Sequence, residues 1–487
     1  MGGLMKKPLL LALVAAVVLA PGCKKKKPLY AETPWGTASG RAGALLFFQG
    51  SATHPNGDDV ALRFDWGDGD TSGWSDWLAS GETLLLSHRW STADTYSVRA
   101  QARDTTNTLS DWSDAFEVSI VNTWTQTFGG AADDQGYAVV QSADGGYFVA
   151  GTTLSFGSGA GDIYLVKTDA SGAQDWARTI GGSDYDAANS VLPTSNGGCV
   201  LAGTTYLDAL KRSDAYLAKI DSSGSVVFAR NFGWIGADMG HSVAQTSDGG
   251  YIVAGQTGSF GAGGYDVYLI KTDAAGNKLW DQVLGGAYND IGYSVQQTGD
   301  GGYIIAGSTD LSGSGIPDIY LIKTDTGGRQ VWAKTFDLGG HDYGYSVQNT
   351  TDGGYVIAGQ TEGGGGGSYA YLLKTDADGN KVWDKSYGAN GRDFARSIQR
   401  TSDGGYVVAG ATASVGAGAY DVYLLKTDAS GDTLWTRTFG GPESDIGYSV
   451  QAAADGGYII SGSTLSYGAG GLDVWLIRTD AQGNTAP

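Results

Sequence analysis

Apolar and polar positions alternate in short runs along most of this chain, and glycine bounds the runs. In one stretch, Gly292-Tyr-Ser-Val-Gln296, Tyr303-Ile-Ile-Ala306, Asp318-Ile-Tyr-Leu-Ile-Lys323 and Gln330-Val-Trp-Ala-Lys-Thr-Phe336 are rich in β-branched and aromatic residues. Such residues suit a pleated, half-buried surface, so each run predicts a β-strand. Gly299-Asp-Gly-Gly302 and Thr324-Asp-Thr-Gly-Gly328 lie between runs and read as tight turns. We name the four strands A to D.

The pattern recurs seven times. Asp-Gly-Gly-Tyr starts at Asp144, Asp248, Asp300, Asp352, Asp403 and Asp455, with Asn196-Gly-Gly-Cys199 as the odd copy. Its aromatic position steps through Tyr147, Cys199, Tyr251, Tyr303, Tyr355, Tyr406 and Tyr458, at intervals of 52 residues with a single 51. Four strands in about 50 residues describe a blade of a β-propeller. The strand D aromatic runs Trp124, Trp176, Phe228, Trp280, Trp332, Trp383, Trp435, and its next place would be the last residue, 487. The seventh unit therefore ends at strand C, Val474-Trp-Leu-Ile-Arg478, while the array opens with an orphan strand D, Thr123-Trp-Thr-Gln-Thr-Phe128. A ring closed by that strand accounts for both ends. The expectation is an all-β chain whose residues 123–487 form a seven-bladed propeller, the N-terminal outer strand completing the last blade.

Residues 32–121 lack the repeat. Val60-Ala-Leu-Arg-Phe-Asp-Trp66 and Tyr96-Ser-Val-Arg-Ala-Gln-Ala-Arg103 alternate with period two, which predicts a small β-sandwich. Phe64-Asp-Trp-Gly-Asp-Gly69, His88-Arg-Trp90, Asp94-Thr-Tyr-Ser-Val98 and Asp104 resemble the PKD (polycystic kidney disease) domain, an immunoglobulin-like module; Asp94 departs from the glycine usual there. The resemblance implies a non-catalytic extracellular spacer or adhesion module. The propeller repeats in turn resemble those of bacterial secreted and surface lipoproteins, through Asp-Gly-Gly-Tyr, the strand Asp266 to Asp273, Trp280 and Gly285-Gly286.

At the N-terminus Lys6-Lys7 precede a 12-residue apolar run, Leu9 to Ala20, too short to span a bilayer and suited to a secretory signal. Leu19-Ala-Pro-Gly-Cys23 resembles a bacterial lipobox, with Pro21 as a departure. It implies a signal peptide over 1–22, a lipidated Cys23, and a Lys-rich tether over 23–31 that attaches the protein to the cell envelope, at the outer membrane or cell surface. The membrane, through that lipid, is the first expected partner.

Composition narrows the function. Lys and Arg number 31 against 51 Asp and Glu, a net charge of −20, which argues against nucleic acid as a partner. Gly is 80 of 487 residues, placed at the repeat turns, and two cysteines make no disulfide framework. No hydrolytic triad and no His ligand spacing is readable, so no catalytic residue, metal or cofactor is expected. Asp134, Asp186, Asp238, Asp290, Asp342, Asp393 and Asp445 precede strand A in every unit and could ring one mouth of a channel as a cation site. Recurrence in every unit points instead to a turn in which Asp accepts backbone N–H groups. The same choice faces Asp65, Asp68 and Asp70 of the sandwich, where backbone acceptance is again the expectation. Asp376-Ala-Asp-Gly-Asn380 imitates part of a calcium loop but lacks its final acid, which makes it a plain turn.

Turns A–B and C–D are short and nearly identical, whereas the B–C loops differ most between units. Variable loops on a rigid scaffold are where binding residues usually reside. Tyr206, Lys211 and Arg212 are the expected distinctive contacts, and Phe156, Phe260 and Tyr467 the apolar platforms. The functional expectation is non-catalytic binding or scaffolding of a glycan or protein; the alternatives are a propeller enzyme acting on polysaccharide and a structural envelope spacer.

Overall fold

The computed structural model describes residues 28–206, 212–363 and 366–485. Cys23 with the signal-like segment, and Lys211, lie outside the described residues. Among the described residues there are 36 strands and no helix. Tertiary contacts divide the chain into two units, one drawn mainly from the first 119 residues and one containing Ile120 onwards.

The first unit is built on two four-stranded sheets. In one, Leu46–Thr53 is flanked by Tyr30–Ala31, Trp35–Gly36 and Thr83–His88; the other orders Ser39–Arg41, Phe116–Val121, Asp94–Asp104 and Val60–Asp65. The alternating residues that predicted two of these strands supply core side chains, Leu62, Phe64, Val98 and Ala100, and Phe48 of Leu46–Thr53 is fully buried with them. Trp66 lies edge-on to Phe64 at 5.2 Å and its indole stacks on His88 at 4.7 Å. His88 also meets Asp68 Oδ2 at 2.7 Å, so it is packed and paired within the sandwich. Asp65 and Asp68 each accept a backbone N–H, from Gly67 and Asp70, both at 3.0 Å, the turn role expected of them. Arg63 lies over Trp74 and Trp112, and Arg103 over Trp74 and Trp77, a cation–π ladder with centroid distances of 4.7–5.3 Å.

The second unit is seven four-stranded antiparallel sheets, each ordered A-B-C-D. Sheet 1 takes Asp134–Gln141, Tyr147–Thr153, Asp162–Thr168 and Gln174–Ile180; sheet 3 takes Asp238–Gln245, Tyr251–Thr257, Asp266–Thr272 and Lys278–Leu284. Sheet 7 takes Asp445–Ala452, Tyr458–Thr464 and Asp473–Thr479, and its fourth strand is Trp124–Phe128. That last pairing sets Val474 opposite Phe128 and Arg478 opposite Trp124.

Strand A begins at the Asp itself in six sheets, one or two residues earlier than the apolar run suggested; in sheet 5 it begins at Tyr343. Strands B and C of sheets 1, 3 and 6 are buried at every residue, because a neighbouring sheet covers each face. Sheet 3 residues Ile252, Ala254 and Leu269 thus share one cluster with Val295, Tyr303 and Ile305 of sheet 4. Val149 and Val166 of sheet 1 share another with Ile459, Val474 and Leu476 of sheet 7. A serine on strand A accepts the backbone N–H of the next sheet's strand A, as in Ser242 to Val295 and Ser294 to Val347, both 3.2 Å. The same bond runs from Val139 of sheet 1 to Ser449 of sheet 7 at 3.4 Å.

The strand D indoles pack between sheets. Trp280 meets Tyr303 of the next sheet at 5.9 Å. It also fills the place of a side chain at Gly328, where a Cβ would lie 2.4 Å from the ring and φ is +77°. Glycine is required there for space and conformation alike. Where Cys199 replaces the tyrosine, Trp176 turns to Phe148 of its own sheet at 6.0 Å. The Asp of the A–B turn pairs with a buried strand C cation, Lys323 with Asp300 at 2.8 Å and Lys374 with Asp352 at 2.9 Å. In sheet 2 the neutral Asn196 replaces the acid, and Lys219 makes no ion pair among the described residues.

Candidate binding site

The repeated carboxylates belong to the framework. The seven strand A aspartates are 0–3% exposed. Each accepts the backbone N–H of the residue four places earlier, at 2.7–3.1 Å. They are buried turn acceptors, the role that their recurrence in every unit pointed to. The strand C aspartates do likewise for the B–C loop, Asp162 accepting from Ser158 at 2.8 Å and Asp266 from Ala262 at 3.0 Å. The two sets face each other across the junctions, except between sheets 5 and 6, where Tyr369 stands in place of the strand C aspartate. Burial, and then the neighbouring Asp290, raises the pKa of Asp266 above the usual carboxylate range. Gly285 keeps the space between that pair, since a Cβ there would lie 2.2 Å from Asp266 Oδ1 and 2.6 Å from Asp290 Oδ2. At the junction of sheets 4 and 5 Asp337 takes this glycine's place, and oxygens of Asp318, Asp337 and Asp342 lie within 4.8 Å of one another. Burial, followed by Asp337 and Asp342, raises the pKa of Asp318.

Asp376 accepts the N–H groups of Asp378 and Asn380 at 3.0 and 2.8 Å, as a plain C–D turn does. Cys199 is buried, and burial alone pushes its thiol up to about 12, which makes it an inert core residue.

The six expected contacts do not form one platform. Phe156, Phe260 and Tyr467 are 45%, 38% and 47% exposed and stand on sheets 1, 3 and 7. Each leans on the strand C aromatic of its own sheet: Phe156 on Tyr164 at 5.7 Å, Phe260 on Tyr268 at 6.0 Å and Tyr467 on Trp475 at 5.2 Å. They act first as struts for their loops. Tyr206 ends strand B of sheet 2, half-buried and edge-on to Tyr185 at 5.9 Å. Arg212 directly precedes Ser213, which bridges Ala237 of the loop leading into sheet 3.

That loop holds a residue the repeat pattern did not single out. Trp234 stands where most units have their second glycine, and it is 66% exposed beside Ile235 at 60%. Its indole lies parallel to Phe260, 10° between planes and 6.5 Å between centroids. The backbone beneath is fixed: Trp234 N–H donates to Asp238 Oδ2 at 3.1 Å, and Gly236 N–H to Ser259 Oγ at 2.9 Å. Tyr206, Arg212, Trp234, Ile235 and Phe260 therefore belong to adjoining loops of sheets 2 and 3. The signal available in the sequence was a departure from the repeat, Gly-Trp in place of Gly-Gly.

A second feature was missed for the same reason. Strand A carries a β-bulge in every sheet. The bulged residue is Tyr137, Tyr293, Tyr345 or Tyr448 in four sheets, and Asn189, His241 or Arg396 in the other three. A bulge re-aims the side chain it carries. These side chains meet one another: Tyr137 and Tyr448 at 5.2 Å, His241 and Tyr293 at 5.6 Å, Tyr293 and Tyr345 at 5.3 Å. Arg396 Cζ lies 4.1 Å from the Tyr345 centroid and 4.9 Å from that of Phe394. Burial pushes the Tyr345 phenol up to about 12 and raises that of Tyr137 further. Burial also lowers the His241 pKa, leaving it neutral at pH 7.

No family model matches the chain. Among curated proteins it is similar to the regulatory protein FlaEY of Caulobacter vibrioides, 27% identical over 263 residues. That match takes in 47% of this chain and 26% of FlaEY, so the chain spans about a quarter of that relative's length. Among solved structures it is similar to the PKD domain of an M14-like peptidase from Thermoplasmatales archaeon SCGC AB-540-F20, 36% identical, covering 20% of this chain and 98% of that one, with a TM-score of 0.18. It is also similar to the extracellular domain of a hybrid two-component system from B. thetaiotaomicron, 9% identical, covering 87% of this chain and 68% of that one, with a TM-score of 0.18.

Proposed function

We propose that this is a non-catalytic recognition protein of the bacterial cell envelope. It is exported, held by lipid on Cys23, and binds a glycan or protein through the variable loops of a closed seven-bladed propeller. The observation that carries the binding role is the exposed Trp234 held parallel to Phe260 on a fixed loop, with Arg212 on the adjoining one. Flat exposed aromatics offer contact area at small entropic cost, and a cation beside them on a chain of net charge −20 suits an anionic glycan or acidic partner. Two observations favour the closed ring: sheet 7 completed by Trp124–Phe128, and the strand A serine bond repeated between sheets 7 and 1. The non-catalytic reading rests on the carboxylates, which are spread evenly over the sheets and engaged by backbone N–H groups.

A glycan and protein array probed with residues 29–487 tests the reading. Ligands retained by the wild type should be lost by Trp234→Ala/Phe260→Ala and weakened by Lys211→Ala/Arg212→Ala. Asn277→Ala/Lys278→Ala, in a C–D turn, should leave them bound. The reverse result places recognition on the opposite face, and a chain that retains nothing selectively is a spacer.

A further inference from the structure

We propose that the bulged side chains around Arg396 bind a small organic carboxylate, received by the Arg396 guanidinium. This rests on the closed-ring reading, which gathers the seven strands A about one axis.

Arg396 makes no ion pair among the described residues, although the chain carries 51 acids against 31 Lys and Arg. Apart from Lys219, the strand C cations of the other sheets find acids, as Lys323 finds Asp300 and Lys426 finds Asp403, both at 2.8 Å. The guanidinium is held over the Tyr345 and Phe394 rings. Stacking occupies its flat face, the Tyr345 hydroxyl interacts with one part of its edge, and the remaining in-plane N–H groups are left as donors of the kind that take a carboxylate. Its Nε is buried and meets no acceptor. A charged donor left so is costly, and an incoming acceptor relieves that cost.

The surroundings select for charge. Tyr293, Tyr343 and Tyr345 are close enough to interact with Arg396 electrostatically, and burial raises all three phenols. They stay protonated at neutral pH, as neutral hydroxyl donors. With His241 neutral as well, Arg396 is the one formal charge among the bulged residues. One positive charge, hydroxyl donors and aromatic faces match a monoanion with an apolar or sugar-like body.

Calorimetric titration of the full chain with acetate and with D-glucuronate, at constant ionic strength and with D-glucose as neutral control, tests this. Both carboxylates should bind and glucose should not. Arg396→Gln should weaken binding at least about tenfold, since a charge-assisted pair of bonds is lost. Arg396→Lys, which keeps the charge without the fork, should fall between, and Asn277→Ala/Lys278→Ala, in a C–D turn, should match the wild type. Wild type that binds neither carboxylate overturns the proposal, as does Arg396→Gln with wild-type affinity. Should Arg396→Gln not fold by circular dichroism, Arg396→Lys decides, and unchanged affinity there overturns the fork. A truncation lacking Thr123–Phe128 separates this site from the ring. If the chain needs that strand for its melting midpoint yet binds no carboxylate, the axial site falls and the ring stands.

Discussion

Replacing Trp124 with alanine tests whether one end of the repeat array holds the other. Trp124 is 1% exposed, lies 5.8 Å from Tyr147 of sheet 1, and sits on the strand that completes sheet 7. A ring of about 200 Å² at about 25 cal/mol per Å² gives about 5 kcal/mol of transfer free energy. Core Phe and Trp truncations cost about 3–5 kcal/mol, so about 4 kcal/mol is expected. The indole lies over Gly172, where a Cβ would be 2.6 Å from it, so the residue facing the hole has no side chain to refill it. The assay is the guanidinium unfolding midpoint of wild type, Trp124→Ala and Trp435→Ala. Trp435 is its repeat equivalent but only partly buried, so its loss should cost less. A chain starting at Gly130 should lose more than either, because Val474 and Leu476, now at most 1% exposed, would lie on an open strand edge. A change under about 0.5 kcal/mol for Trp124→Ala, within the range of ordinary surface substitutions, would refute the reasoning, as would an unchanged midpoint for the truncation.

Acid should loosen the array in a defined window. Asp300, Asp352 and Asp403 have pKa values depressed to about 2, by Lys323 for Asp300, by the Thr350 hydroxyl and then Lys374 for Asp352, and by Lys426 against a burial penalty for Asp403. A folded pKa below the unfolded value of about 3.9 gives stability that is present above about pH 4 and lost toward about pH 2, so a melting temperature flat across that window would contradict it. Gly285→Ala should cost on the order of 1–3 kcal/mol by forcing apart the Asp266 and Asp290 carboxylates. Gly286→Ala, whose Cβ would find its nearest neighbour at 3.9 Å, should be close to neutral in the same melt. Cys23→Ser should move the protein from the detergent phase to the aqueous phase, and equal partitioning of the two forms would remove the lipid anchor.

The strands and their grouping into fours were legible because both signals are local and repeated seven times: Val, Ile and Tyr in short runs, glycine at the turns. The orphan strand at Trp124 was legible for an arithmetic reason, since a unit was missing its last strand and another strand had no unit. The site was harder to see. Phe156, Phe260 and Tyr467 were visible as aromatics in variable loops, but not that each ring would lean on the strand C aromatic of its own sheet. Trp234 and Arg396 carry no motif. They differ from their repeat equivalents at one position each, and their meaning depends on contacts: a parallel phenyl ring for Trp234, a bulge and two aromatic faces for Arg396. Seven copies of a carboxylate drew attention to the framework, whereas the positions able to confer specificity are those where a copy deviates.

The pairing of Trp124–Phe128 with Asp473–Thr479 has a consequence in time. The outer strand of the last sheet is among the earliest parts of the array to leave the ribosome. More than 340 residues separate Phe128 from Asp473, and at about 5–20 residues per second their synthesis takes roughly 20–70 s. Throughout that interval Trp124 and Phe128 have no sheet to join, and a finished but unclasped array presents one bare edge at sheet 7. Vectorial emergence therefore makes the first-made segment the last to be buried. A holdase that covers residues 123–128 until Thr479 has been made would shield this protein at its most vulnerable point.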